Sequence, residues 1–304
     1  MGMDILGRSD ASDGFSRPDR DPSLVRLRRD AYVDAAAWEG ADADERFLAR
    51  VLAVDAARDE PVFALQAGLA LEGLPFGVAP DVVATIGGMS TSGRRNGVAH
   101  AHIELDDADV SEPPGAPARL ALPYLLADVA RRLPQHVAVS ALDAALAADR
   151  VEREAVLEAL SRQGARGRRR AAWVIGFADG RSESPGESVS RVTMHRIGAP
   201  PPELQVKVRT VAAGDRWLDF EWTRPGRRPL AGEFDGAQKY GILAERSGRS
   251  GVDALVREKR REDGVRETHD MARWMWVDAI QPTRLRRILA GAGLPVGSRI
   301  LPGW

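Results

Sequence analysis

The sequence predicts an α/β (α+β) protein: a C-terminal α/β sandwich around a small mixed sheet, preceded by a separate α+β domain. Three observations predict it. The chain has 304 residues, of which 44% are hydrophobic and 29% charged, enough for two water-facing domains of ordinary size. Between residues 182 and 292 the pattern runs helix, three strands, helix, strand, helix, the order of a mixed sheet with helices on both faces. At the centre, residues 217–240 read as a hairpin, two arms mixing apolar residues with carboxylates around the turn signal Pro225-Gly226.

Residues 1–20 are polar and without periodicity, and are expected to be a disordered tail. Residues 24–33 fit a helix end and a short strand. Acidic residues at 42–45 open a helix that continues through Phe47, Leu48, Val51 and Leu52. A second helix is expected over 60–73, stopped by Gly73 and Pro75. Strands follow at 81–86 and 98–105, joined by a polar loop, with His100 and His102 on one strand face. Helices at 124–133 and 137–148 complete a domain spanning 21–150. Residues 151–180 read as a helical connector. It holds the basic run Arg166-Gly167-Arg168-Arg169-Arg170, which fits either phosphate contact or a solvated helix face.

The second domain covers 181–304. Ser184 and Pro185 with Glu187 form a helix start, and Val189, Val192, Met194 and Ile197 form its apolar face. Residues 203–211 alternate as a strand, the hairpin adds two more, 252–262 is a charged helix, 271–277 a strand and 283–292 a last amphipathic helix. Trp217, Trp222, Trp274 and Trp276 are expected in core or sheet packing.

The chemistry concentrates in the hairpin. Glu233 and Asp235 are two apart on one strand, so both point to one face. If Asp219 faces the same way, three carboxylates converge; such acids repel unless a divalent cation joins them, and hard oxygen donors suit Mg²⁺ or Mn²⁺. There is no cysteine, which excludes disulfides and thiolate sites. No apolar run reaches bilayer length and the N-terminus lacks a basic-then-apolar leader, so a cytoplasmic protein without a membrane partner is expected. Of the 43 basic Lys and Arg residues only Lys207, Lys239 and Lys259 are lysines, all in the C-terminal third.

Ser182-Glu183-Ser184-Pro185-Gly186-Glu187-Ser188, Pro201-Pro202-Glu203-Leu204-Gln205-Val206, Leu218-Asp219-Phe220-Glu221-Trp222 and Gly232-Glu233-Phe234-Asp235-Gly236 occur in that order. Arg257-Glu258-Lys259-Arg260-Arg261-Glu262-Asp263 and Arg273-Trp274-Met275-Trp276 follow. Together they resemble the PD-(D/E)xK nuclease superfamily, in its very-short-patch-repair-endonuclease-like branch. The resemblance implies a restriction-endonuclease-like fold and a Mg²⁺-dependent DNA endonuclease. Asp219 and Glu233 would hold the metal with Asp235, and Glu187 on the first helix would assist. Asp235 stands where the superfamily has a water-positioning lysine, a role the resemblance leaves to Lys239. Upstream, Arg28-Arg29-Asp30-Ala31-Tyr32-Val33 and Val62-Phe63-Ala64-Leu65-Gln66-Ala67-Gly68 resemble the type IV (AbiEi-like) antitoxins, with most of their winged helix missing. That implies DNA and a cognate toxin as partners. Two readings stand: an endonuclease fused to an antitoxin-type domain, or a catalytically inactive antitoxin-like transcriptional regulator or toxin-binding protein.

Overall fold

The computed structural model describes residues 3–7, 18–88, 92–210, 214–236 and 264–303. Its contacts divide the chain into two units, residues 1–133 with 151–176, and residues 134–150 with 177–304.

In the first unit, β1 (Leu6–Gly7), β2 (Leu24–Arg28) and β3 (Ala31–Asp34) form a three-stranded sheet in the order β1-β3-β2. Part of the expected disordered tail is therefore ordered: Leu6 pairs with Tyr32, and Asp19 accepts the Tyr32 hydroxyl at 2.9 Å. The helix end expected within 24–33 is instead strand β2 of the β2–β3 hairpin. Helix α1 (Ala35–Gly40) is short. Helix α2 (Ala43–Asp55) starts where its acids predict, with Asp42 and Glu45 closing a reciprocal capping box and Phe47, Val51 and Val54 buried.

The helix expected over 60–73 is β4 (Val62–Phe63) followed by α3 (Leu65–Leu71). β4 joins β5 (Val83–Gly87), β6 (Gly93–Arg95), β7 (Val98–His102), β8 (Val110–Ser111) and β9 (Arg119–Leu120) in a six-stranded sheet ordered β6-β7-β5-β4-β9-β8. Helix α4 (Leu122–Arg132) packs on α3 at Gly68, where a Cβ would meet a Leu125 methyl at 2.7 Å. His100 is tied to Thr85 on the neighbouring strand through its Nδ1 at 3.0 Å, and His102 is exposed.

The chain then leaves for α5 (Gln135–Ala147), which packs with the second unit, and returns as α6 (Arg153–Arg162) and α7 (Arg168–Phe177). Residues 151–176, expected as a connector, are thus built into the first unit. Arg162 pairs with buried Asp109 at 2.7 Å, and Gln163 donates to the Tyr124 carbonyl at 2.8 Å and accepts from Arg131 at 3.1 Å. Of the basic run, Arg166, Arg168 and Arg169 are exposed, as a solvated face requires. Arg168 turns back onto the Ser161 and Gln163 carbonyls, and Arg170 is half-buried.

In the second unit, α8 (Pro185–Arg196) lies on the sheet of β10 (Glu203–Thr210), β11 (Gly214–Trp222), β12 (Leu230–Asp235) and β13 (Asp270–Met275). The order is β10-β11-β12-β13; the first three run antiparallel and β13 is parallel to β12. This is the mixed sheet the sequence predicts. The helix expected at 252–262 lies outside the described residues. The strand expected over 271–277 stops at Met275, where α9 (Trp276–Ala279) begins, and α10 (Pro282–Gly291) closes the unit. On one face, Val189 and Met194 of α8, Ile197 at its C-terminal cap, and Leu285 and Leu289 of α10 bury Phe220, Trp222, Leu230 and Trp274. Trp222 and Trp274 are core residues, whereas Trp217 is 56% exposed and Trp276 38% exposed.

Helix α5 docks on α8 through a buried charge pair. Asp143 meets Arg191 at 2.9 Å; Arg191 also donates to Ser182 Oγ and the Phe177 carbonyl and lies over the Phe177 ring.

Gly232 sits between two indoles, and a Cβ there would come within 2.7 Å of both the Trp222 and Trp274 rings. Gly232→Ala is therefore expected to destabilise the protein by about 1–3 kcal/mol through overpacking. Urea unfolding checks this, and an unchanged midpoint would contradict the packing described.

Candidate functional site

The hairpin acids lie on the central strands, Asp219 on β11 and Glu233 and Asp235 on β12. On β12, Leu230 and Phe234 pack toward α8, whereas Ala231 joins Leu218, Val265, Val208 and Met271 on the opposite face. Glu233 and Asp235 alternate with Phe234 and so project with Ala231, away from α8.

Asp219 lies at an irregularity. Leu218 and Phe220, which a regular strand would turn to one face, belong to opposite clusters. The switch falls at Asp219, opposite Gln205 of β10. Leu204 and Val208 change faces in the same way, and Gln205 has a left-handed φ of 50°. Pairing of β11 with β12 ends at Phe220 and Gly232, and the Asp219 carboxylate accepts the Phe234 amide at 2.8 Å. Asp219 thus takes up a strand amide beyond the end of the ladder.

Glu187 is on the other side. It is 6% exposed in the first turn of α8, which lies against β12 so closely that a Cβ on Gly186 would enter the Phe234 ring. Its Oε1 accepts the Ser184 hydroxyl at 2.7 Å; its Oε2 accepts the Glu183 amide at 3.0 Å and the Gln205 amide group at 3.1 Å. These are the bonds of a helix cap extended to the sheet. The sequence expectation that the fold brings Glu187 beside Glu233 and Asp235 is corrected: the sheet stands between them.

Glu233 is 9% exposed, and its Oε2 receives two hydrogen bonds from Arg273, from Nε at 3.0 Å and Nη2 at 2.7 Å. Arg273 is in register with Glu233 on the parallel strand β13. Asp235 is half-buried at the end of β12. Lys239 and Lys259 lie outside the described residues; Lys207 pairs with Asp215 on the exposed β10–β11 surface at 2.7 Å.

The oxygen donors expected for Mg²⁺ or Mn²⁺ are chemically right, and three of them already have hydrogen-bond partners in the fold. Asp219 serves a strand amide, Glu187 a helix cap on the far face, and Glu233 a guanidinium. Among the described residues no three His, Asp or Glu side chains form a metal-binding group.

Two polar residues of this face, His269 and Arg273, are not among the site residues expected from the sequence. His269 is buried, its Nε2 is 3.3 Å from Glu221 Oε2, and its Nδ1 meets the Thr268 hydroxyl at 2.8 Å. Arg273 could be found only by knowing that β13 runs parallel to β12 in this register.

No family model matches the chain. Two proteins of Mycobacterium tuberculosis, "Uncharacterized protein MT2308" and "Uncharacterized protein Rv2248", are each 39% identical to it over 120 residues, covering 39% of this chain and 43% of theirs. The match therefore spans less than half the length of these relatives. Among solved structures, the RV2827C protein from Mycobacterium tuberculosis aligns with 61% of this chain and 74% of its own at 15% identity and a TM-score of 0.38. None of these names assigns an activity. Among the described residues no helix is long and apolar enough to cross a membrane.

Proposed function

We propose that the protein binds DNA without hydrolysing it, as an antitoxin-like regulator whose second unit keeps the layout of a nuclease sheet as a scaffold. The observation that carries this reading is the clamp on Glu233: a two-point hydrogen bond from Arg273 supplies, from within the chain, the positive charge that a divalent cation would bring. The placement of Glu187 across the sheet supports the same reading. Exposed arginines at the hairpin tips of the first unit supply the charge that DNA requires.

The endonuclease remains the second reading, favoured by the strand order and by Asp219 lying one strand from Glu233 and Asp235. A plasmid-nicking assay in Mg²⁺ or Mn²⁺ separates the two. Wild type and Glu233→Ala are expected to leave supercoiled DNA equally intact. Metal-dependent nicking by wild type that disappears in Glu233→Ala would establish the endonuclease instead.

A further inference from the structure

Two tight turns stand side by side at one end of the first unit. The β2–β3 turn holds Arg29 and Asp30, the latter left-handed at φ 59°. The β6–β7 turn holds Asn96 and Gly97, both left-handed, directly after the exposed Arg94 and Arg95. Arg28 ties the turns together by donating from Nη1 to the Asn96 carbonyl at 2.9 Å. Between these turns and the end of α2 lies a cavity of about 630 Å³ lined by Arg28, Arg29 and Arg58 together with Asp30 and Asp59.

The charge of this cavity is not balanced from within. Asp30 faces Arg29 at 3.5 Å, across an exposed contact. Arg28 rests on a carbonyl rather than a carboxylate, and among the described residues neither Arg28 nor Arg58 has an ion-pair partner. Burial first, and then the neighbouring Arg58 charge, lower the Arg28 pKa from its ordinary value. Holding two guanidinium groups together in this way is unfavourable until an anion joins them.

We infer that this surface binds the phosphodiester backbone of duplex DNA, with Arg28 and Arg58 contacting phosphate in the cavity and Arg94 and Arg95 extending the contact along the second turn. The inference rests on the DNA-binding reading above and adds to it the surface that makes the contact. Guanidinium forks match phosphate oxygens two at a time. The exposed Arg29, Arg94 and Arg95 extend the cationic surface from the cavity along two turn tips, which suits a polymer better than a small anion. Backbone contacts of this kind give affinity and salt dependence without reading sequence.

The test is fluorescence anisotropy of a labelled duplex against the full chain at several salt concentrations. The variants are Arg28→Ala with Arg58→Ala, Arg58→Glu alone, and Arg287→Ala on the exposed side of α10 as a control. Arg58 makes no hydrogen bond that the fold needs among the described residues, so Arg58→Glu keeps the test sound if the double variant fails to fold. Melting curves confirm which variants fold. The double variant is expected to bind about tenfold more weakly, with a salt slope shallower by about 2, and Arg58→Glu to weaken binding in the same direction. Arg287→Ala is expected to bind as wild type does. If wild type binds duplex and the folded arginine variants bind equally well, the surface assignment is overturned while the DNA-binding reading stands. If wild type binds no duplex, both fail. If tripolyphosphate binds in a manner dependent on Arg28 and Arg58 but no duplex does, the cavity is a small-anion site and the assignment to DNA is overturned.

Discussion

Replacing Arg273 by glutamine is expected to destabilise the protein by about 2–4 kcal/mol in metal-free buffer, because it leaves a carboxylate of low exposure without its charge partner. Glu233 is 9% exposed and, among the described residues, both hydrogen bonds to its Oε2 come from Arg273. The same substitution opens Glu233, next to Asp235 on its face, to a cation. Millimolar Mn²⁺ is therefore expected to raise the melting temperature of Arg273→Gln and not that of wild type, since a ligand that binds only the folded state stabilises it by mass action. The double variant Glu233→Gln with Arg273→Gln removes both charges, and is expected to regain much of the lost stability and lose the response to Mn²⁺. Arg273→Gln melting like wild type would show that the pair contributes nothing to the fold.

The other large effect is expected at the α5–α8 contact. Arg191→Met strands Asp143, 1% exposed, in the interior, and a loss of about 3–5 kcal/mol is expected by chemical denaturation. Loss below 1 kcal/mol would contradict the burial described. Asp143 also makes the stability of this contact depend on pH. Burial pushes its carboxyl up to about 6, and the Arg191 guanidinium and the Asp179 amide oppose that only in part. The folded state then holds the proton more tightly than the unfolded chain. The contribution is full below about pH 4 and is lost as pH rises through about 6. Wild type is expected to lose stability relative to Asp143→Asn over that window, by an amount on the order of 3 kcal/mol. A difference that stays flat from pH 4 to 7 would place the Asp143 titration outside it.

Much of the second unit was legible because its signals are local. Ser184, Pro185 and Glu187 mark the start of α8, and the alternation in 203–211 and the Pro225-Gly226 turn mark the antiparallel strands. The helical hydrophobic faces of α2 and α4 were legible for the same reason. Short apolar runs were not: Val62-Phe63 reads as the start of a helix until its partners across the sheet are known. The division into units escaped the sequence because it depends on pairs far apart in the chain, such as Arg162 with Asp109 and Arg191 with Asp143.

At the site, spacing two residues apart places Glu233 and Asp235 on one face but does not say which. That depends on Phe234 packing against Gly186. The change of face at Asp219 depends on a left-handed Gln205, and glutamine gives no warning of that conformation. The partner of Glu233 is likewise set by strand register, so the acids were visible in the sequence and their engagement was not.

Whether these acids serve the fold or a cation is tested most directly by calorimetric titration of Mn²⁺ into the wild-type full chain. Heats of dilution only are expected, the same for wild type and Asp219→Asn. Saturable binding of Mn²⁺ by wild type that Asp219→Asn abolishes would contradict that expectation.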